Sequence, residues 1–594
     1  MTRDTYRLPR WNMMDIYPGL QSPEFTHALQ HAIESIANLT MLFDTYQIGD
    51  GTRAAINPPS VHLFETVIMQ YNAVLAEVWT VSAYITTYLN TDAQHSLARA
   101  LSGQLHQSAH LEFIPPRLGT LFPRLAAWIG SLDLAALCER SAAARAHVHA
   151  LERAQQRARH SMTSPEEALA AELSRSGSSA WASLYTTLTA RRTPSLAGTN
   201  QADRAVRQRS SERARRFHAR NALPLAAALN GIKDSARTLA SRRGWATPLD
   251  AALLDQGIDR ETLDALLIAT TAALPDFHRY LRLKAGALQV PMLAGYDLDA
   301  PLGRRTEAWA FPDAAAFILD QFAAYSPRMG AMVRQAFAES WVDAAPRAGK
   351  VAGGSCMLVR GGESRILLHY LPTFSHVCAL AHELGHAYHH YVMADCTMLQ
   401  RAIPLTLAET ASTFAEMLVR QARLEQPGNR DELISMLDEW LQAACWYVFE
   451  NMMFFRFEQQ LLAERSRYEL TAADLNTLFH EVQVAIYADS VDLSTLDPYA
   501  WMDNGTLFQP TAVFYNVPYM FGLLFALGLY ARYRSDPDRF RAGYDDVLAH
   551  TGLKDVATLA WGFGINVRTP VFWQESLAVI RADIDRLEHL LHGG

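Results

Sequence analysis

Two histidines four residues apart, His382 and His386, enclose a glutamate, Glu383, in the run LAHELGHAYHH at residues 380–390. On a helix, side chains at i and i+4 stand one turn above each other on the same face. Two imidazoles so placed can bind one Zn²⁺ through nitrogens about 2.0–2.1 Å from the metal. A carboxylate beside the first of them can reach a metal-bound water and take its proton, which is the chemistry of metal-assisted hydrolysis. Ala, Leu and Glu fill the segment and favour a helix, and only Gly385 weakens it. With 21 histidines in the chain, an HExxH arises by chance in roughly one such sequence in twenty-five. The weight therefore falls on what accompanies it.

A catalytic zinc site needs three protein ligands and an open position for water. Residues 405–417, LTLAETASTFAEM, read as a helical segment carrying Glu409 and Glu416, seven apart and so on nearly one face with Ala, Ser, Thr and Phe. A carboxylate on such a small-residue face suits a buried site, where an unpaired charge is too costly to keep. Glu409 follows His386 by 23 residues, enough for one helix to end and the next to pack back. On this reading Glu409 is the third ligand and Glu416 accepts the free N–H of a ligand imidazole, although periodicity lets either carboxylate face the histidines. His389 shares the ligand face; a fourth ligand there would close the open position, so it is expected beside a ligand or facing substrate. His390 is expected as a satisfied or exposed histidine.

The elements that must position these groups are mostly helices. Residues 22–38 and 61–88 repeat apolar positions every three or four residues, and Pro23 suits a first helical turn. The clearest strand is 364–370, SRILLHY, after the turn-prone Arg360, Gly361 and Gly362. Residues 192–202, rich in Ser, Thr, Gly and Pro, are the best linker, and suggest a helical N-terminal region over 1–195 and a catalytic region over 196–594. Beyond the linker, Arg204, Arg207, Arg209, Arg213, Arg215, Arg216 and Arg220 form a basic stretch with only Phe217 as a nearby aromatic, read as a solvated helix face.

A chain of 594 residues that is 49% hydrophobic can bury a large core, and its net charge of −8 argues against nucleic acid as a partner. Its five scattered cysteines form no CxxC pair and fit a reducing compartment. The N-terminus has no apolar signal-peptide core, and the apolar run 517–531 is shorter than the roughly 20 residues a membrane helix needs. A soluble, cytoplasmic protein with no membrane or nucleic-acid partner is expected.

The same segments make the sequence resemble the oligoendopeptidase F family, relatives of thimet oligopeptidase among zinc metallopeptidases. LAHELGHAYH matches its catalytic helix and ETASTFAE its ligand-bearing helix. RWNMMDIYPGLQSPEF, SPEEALAAELSRSGSSAWASLY, AGYDLDAPL, WVDAAPRAGK, GGSC and FYNVPYMFGLLFALGLYARY resemble further family blocks in the same order. The resemblance implies a mostly α, ellipsoidal metallopeptidase with a deep central channel and a small β-sheet beside the zinc helix. It implies one Zn²⁺ per chain and short, unstructured peptides as substrates. The strand at 364–370 would then offer its backbone to an extended peptide, and the loop holding Gly353 and Gly354 would let that peptide pass close to the main chain.

The chain departs from the family at its C-terminal loop. A histidine expected near position 506 is Thr506, and the tyrosine of an FGY triplet is Leu523, leaving Tyr515 and Tyr519 as substrate-binding or oxyanion donors. Losing one such donor can cost roughly 10²–10³ in turnover. A zinc oligopeptidase is the leading expectation. A zinc carboxypeptidase or specialised amide hydrolase, and a peptide-binding protein with weakened catalysis, stand beside it.

Overall fold

Helix signals written into the sequence set the frame. Ser22 caps the helix Pro23–Thr45 through the Phe25 amide, and Asn57 caps Pro58–Thr91 with a reciprocal bond to Ser60. The first helix begins where expected and runs on past residue 38 to Thr45, and the second extends the expected 61–88 at both ends, its N-terminal extension set by the Asn57 cap and the prolines just outside the apolar repeat. The computed structural model describes residues 8–49, 55–109, 111–113, 116–119, 121–190, 200–303, 308–426 and 429–593. It is predominantly helical with a few short strands, as expected.

The chain divides into two compact units. The first comprises Met1–His160, Ala308–Glu425 and Arg532–Gly564; the second comprises Ser161–Glu307, Gln426–Ala531 and Ile565–Gly594. The expected linker at 192–202 lies largely outside the described residues.

In the first unit the helices Pro23–Thr45 and Pro58–Thr91 pack on each other over Phe25, Phe43, Tyr71 and Tyr84. The Trp79 indole N–H donates to the Leu358 carbonyl at 2.9 Å, tying the second of these helices to a three-stranded sheet. That sheet is ordered Val342–Asp343, Glu363–Leu367, Ser355–Arg360, with a parallel and an antiparallel pairing respectively. The strand expected at 364–370 is observed at Glu363–Leu367. Its continuation still bonds to the first strand's side, from Leu368 N to Asp343 O and from Tyr370 N to Ala344 O. Lys350, its side chain fully buried, anchors this corner through Asp343 Oδ1 at 2.7 Å and the Leu368 carbonyl at 2.8 Å. The sheet packs beside the helix Phe374–Val392, which carries the paired histidines, so the expected sheet beside that helix is present.

The second unit is built around the long helices Arg204–Arg242 and Arg260–Ala287, the helical segment 430–465, and the closing helix Pro570–His592. Buried ion pairs stitch it: Lys233 with Glu458 at 2.5 Å and Lys284 with Asp438 at 3.0 Å. The basic stretch is only partly a solvated face. Arg209, Arg213, Arg215, Arg216 and Arg220 are exposed, but Arg207 is buried and donates to Asp297 at 2.8 Å. The apolar run at 517–531 lies within the helix Val517–Ser535, buried along nearly all its length. Among the described residues no helix is long and apolar enough to cross a membrane, and all five cysteines are free.

One buried histidine fastens a loop of this unit. His218, 1% exposed, places Nδ1 3.0 Å from Asp497 Oδ2 and Nε2 3.0 Å from Asp503 Oδ1. Two carboxylates facing both ring nitrogens require an imidazolium. Burial alone would lower its pKa, but the two aspartates outweigh that and raise it to about 9. A folded pKa above the unfolded 6.5 gives stability that is complete below pH 6.5 and lost as pH rises to about 9. The loss should be on the order of 3 kcal/mol, because each tenfold gain in proton affinity on folding is worth about 1.4 kcal/mol. Thermal melting of the wild type should therefore fall across this window, and His218→Asn should flatten that slope. Parallel slopes for the two proteins would show that the Asp–His–Asp clamp is not the group that titrates.

Candidate metal centre

The helix Phe374–Val392 begins at Thr373, held extended at φ −129°, and presents His382 and His386 on one face. Their rings lie 5.0 Å apart between centroids and nearly perpendicular. The partner segment is not one continuous helix as expected. A short helix, Leu405–Ala408, follows Pro404, and Glu409 breaks it at φ −85°, ψ 2° before the helix Thr410–Glu425 begins. The Glu409 carbonyl accepts from the Thr413 amide at 3.1 Å, so Glu409 caps the second helix with its backbone while its side chain turns to the histidines.

The two helices meet at Gly385. A methyl group there would lie 2.6 Å from the Ala411 carbonyl oxygen, 2.6 Å from Ser412 Cα and 2.8 Å from Ala415 Cβ. The glycine that weakens the helix by roughly 1 kcal/mol is the one that lets its partner come this close.

That approach brings three expected groups together. Glu409 Oε2 stands 3.1 Å from His382 Nε2 and 3.3 Å from His386 Nε2. The ligand atoms of His382, His386 and Glu409 lie within 4.8 Å of one another, the one such group of three found among the described residues. Atoms about 2.05 Å from a common tetrahedral centre are about 3.3 Å apart, so the observed spacings fit a zinc-sized ion. All three side chains are about a fifth to a quarter exposed, which leaves a face open.

Around this trio the polar contacts continue. Glu416 Oε2 lies 3.3 Å from His382 Nδ1, the position expected of a carboxylate holding a ligand imidazole, and its other oxygen contacts the Arg420 guanidinium. Ser412 Oγ donates to Glu409 Oε2 at 2.8 Å, and fixes the carboxylate's direction. Burial opposes charge on His382, Glu409 and Glu416, yet the pairings prevail. The carboxylates of Glu409 and Glu416 hold His382 well above the usual histidine range. The imidazoles keep Glu409 well below the carboxylate range, and Arg420 with His382 lowers Glu416 to about 2.

Glu383 differs from them. It is 7% exposed, and its Oε2 is buried with no hydrogen-bond partner. Burial pushes its carboxyl up, against the pull of His382 and His386. An orphaned buried carboxylate next to two imidazoles fits a group that accepts from a water or substrate.

His389 does not join the donor group. It is buried, with Nε2 2.8 Å from Thr551 Oγ1, and burial with the neighbouring His386 lowers its pKa to about 4. His390 is satisfied by Ser364 Oγ at 2.9 Å, as expected. Tyr515 and Tyr519 belong to the second unit, where their rings pack edge-on at 5.9 Å and Tyr519 packs on Trp446. In the same unit Thr506 is held by Asn504 and Asn516, and Leu523 is buried within its helix. Sequence reasoning missed Ser412 and Arg420. The signal for both was helical spacing, at three residues from Glu409 and four from Glu416.

Comparison with known proteins places the chain among peptidases. Residues 320–579, which contain the whole donor group, match peptidase family M3, and residues 129–193 match oligopeptidase F. Chromosomal oligoendopeptidase F of Lactococcus lactis subsp. cremoris is 23% identical over 59% of this chain and 58% of its own length. Oligopeptidase PepF of Bacillus subtilis is 23% identical over 49% of this chain and 44% of its own. The matched stretch thus spans roughly half the length of these curated relatives. Among solved structures, a chain from Chlamydophila abortus described as a peptidase superposes with a TM-score of 0.80 at 18% identity, covering 98% of both chains. Oligoendopeptidase-F from Enterococcus faecium gives 0.68 at 16%, covering 96% of this chain and 99% of that one. At these identities the structural likeness is one of fold.

The close approach at Gly385 can be tested directly. In Gly385→Ala the obstructing atoms are mostly backbone, so the two helices must part. Overpacking of this kind costs about 1–3 kcal/mol. A lower melting temperature and zinc affinity reduced at least tenfold in a chelator competition are expected. Wild-type affinity would show that the spacing of the two helices does not set the donor geometry.

Proposed function

We propose, for a chain that belongs to the oligoendopeptidase F family within peptidase family M3, that it is a zinc-dependent peptidase acting on short, unstructured peptides. The observation that carries this reading is the convergence of His382, His386 and Glu409 beside an unpartnered buried Glu383. His382 Nε2, His386 Nε2 and the Glu409 carboxylate are the donors that would hold one Zn²⁺ per chain. When bound, the ion supplies a Lewis acid that acidifies water and polarises the scissile carbonyl.

The remaining chemistry belongs to the chain's own groups. Glu383, kept basic by its burial against the pull of the two imidazoles, takes a proton from the attacking water. It returns that proton to the nitrogen of the leaving amine. Glu416 accepts from His382 Nδ1 and so turns the opposite nitrogen toward the donor group. Arg420 keeps Glu416 ionised for that task. Ser412 keeps Glu409 aimed. Tyr515 and Tyr519 are the proposed substrate or oxyanion contacts, and a deep channel, a cytoplasmic location and the substrate class belong to the same reading. A second reading, a carboxypeptidase, a specialised amide hydrolase or a binding protein with weak turnover, is favoured by Thr506 and Leu523, which stand where the family resemblance leads one to expect a histidine and a tyrosine.

Substitution separates the roles. Glu383→Gln should retain zinc, measured by elemental analysis, while turnover falls by at least about 10². His382→Ala, His386→Ala and Glu409→Ala should each lose zinc, and Glu416→Ala should weaken affinity by roughly 10–100-fold. If Glu416→Ala empties the site while Glu409→Ala leaves it full, the two glutamates exchange roles. On substrate, a quenched peptide of roughly 5–20 residues should be cut and unfolded casein should not, as expected if substrate must enter a confined site. Rapid casein digestion would contradict the substrate class, and end-group analysis of products distinguishes internal cleavage from carboxypeptidase action.

A further inference from the structure

Gly353 and Gly354 stand side by side ahead of the strand Ser355–Arg360, yet different constraints make them glycine. Gly353 has φ +94°, a conformation that L side chains rarely adopt. Gly354 has no such backbone, so other residues could take its main-chain conformation. What denies it a side chain is Glu383. A Cβ on Gly354 would lie 2.7 Å from Glu383 Oε1, 3.5 Å from its carboxyl carbon and 3.6 Å from Cγ. The carboxylate therefore rests on the bare main chain of Gly354. The Oε2 of that carboxylate is buried and accepts no hydrogen bond. The Gly354 main chain is therefore part of the surface that fixes where the group can point.

We infer that Gly354 is a positioning residue for Glu383: its missing side chain keeps open the place where the carboxylate stands over the histidine helix. The inference rests on the general-base role proposed for Glu383. The obstructing atom is the far end of a flexible side chain, not backbone. A methyl at 354 therefore leaves the fold intact and displaces Glu383, and a displacement of about 1 Å can cost roughly 10²-fold in rate. This contrasts with Gly385, where two of the three nearest neighbours are backbone atoms, the third is an alanine Cβ, and the helices themselves must move.

The experiment is a double-substitution cycle in the full chain, using Gly354→Ala, Glu383→Asp and the two combined, assayed with a quenched peptide. Zinc content and melting temperature are measured alongside. Gly354→Ala should lower kcat by about 10–100-fold, with KM changed less than about threefold and with wild-type zinc content. A crystal structure of this variant should show the Glu383 carboxylate moved and the zinc donors in place. Aspartate is one methylene shorter and withdraws from the added methyl, so Gly354→Ala should add little further loss in the Glu383→Asp background. Wild-type kcat in Gly354→Ala, or losses that simply multiply in the double variant, would overturn the inference. If instead Glu383→Gln retains full turnover, it is the general-base reading that fails.

Discussion

The carboxylate of Glu409 stands 3.1 and 3.3 Å from two imidazoles because the helix that follows it presses against the histidine helix where that helix has no side chain. Gly385 faces the Ala411 carbonyl, Ser412 Cα and Ala415 Cβ at distances no Cβ could share. The rest of the site depends on this contact. It sets the separation of the helix axes and the height at which Glu409 caps the second helix. It thereby decides that Oε2 meets both Nε2 atoms. The small residues of ETASTFAE follow from it, since Ala411, Ser412 and Ala415 form the surface onto which Gly385 packs. A larger residue at any of these positions would move a donor by more than the few tenths of an ångström that metal coordination tolerates.

Charge balance is the second constraint. Carboxylates and imidazoles that leave water must find partners, because an isolated buried charge is costly. Glu409 finds His382, His386 and the Ser412 hydroxyl; Glu416 finds His382 and Arg420. Each carboxylate is thereby kept ionised and each imidazole is oriented. Glu383 alone among these acids has an oxygen buried without a partner, and its carboxyl is pushed up rather than down. The same environment thus produces two kinds of glutamate, one suited to holding a cation and one suited to exchanging a proton. Gly354, beneath Glu383, extends that division to the backbone.

Much of this was legible in the sequence. The HExxH spacing and the seven-residue separation of Glu409 and Glu416 are helix-surface arithmetic, and the structure returns His382, His386, Glu409 and Glu416 within one cluster. The small-residue face predicted burial, and the hydrophobic repeats predicted the helices. Other features depend on long-range contacts that no local pattern contains. At Glu409 the helix breaks and the backbone caps the next one, although the Leu and Ala that precede it favour a continuous helix. His389, at the helical phase of the ligand face but expected beside a ligand or facing substrate rather than as a fourth ligand, is buried and paired with Thr551, 162 residues away. Gly385 read as a weak point and proved to be the contact. The loop at 353–354 is expected from the resemblance to let a peptide pass close to the main chain; that the Glu383 carboxylate lies against Gly354 is a contact no local pattern contains.

The central claim is that His382, His386 and Glu409 together hold a zinc ion whose open side faces Glu383. Anomalous diffraction from crystals of the zinc-loaded protein, recorded on both sides of the zinc absorption edge, tests it most directly. The account predicts a single strong peak per chain, bonded at about 2.0–2.2 Å to His382 Nε2, His386 Nε2 and a Glu409 oxygen, with a non-protein ligand completing the sphere on the side of Glu383. A peak held by Glu416 or His389 in place of Glu409, or no peak within this trio from crystals that contain stoichiometric zinc, would contradict it.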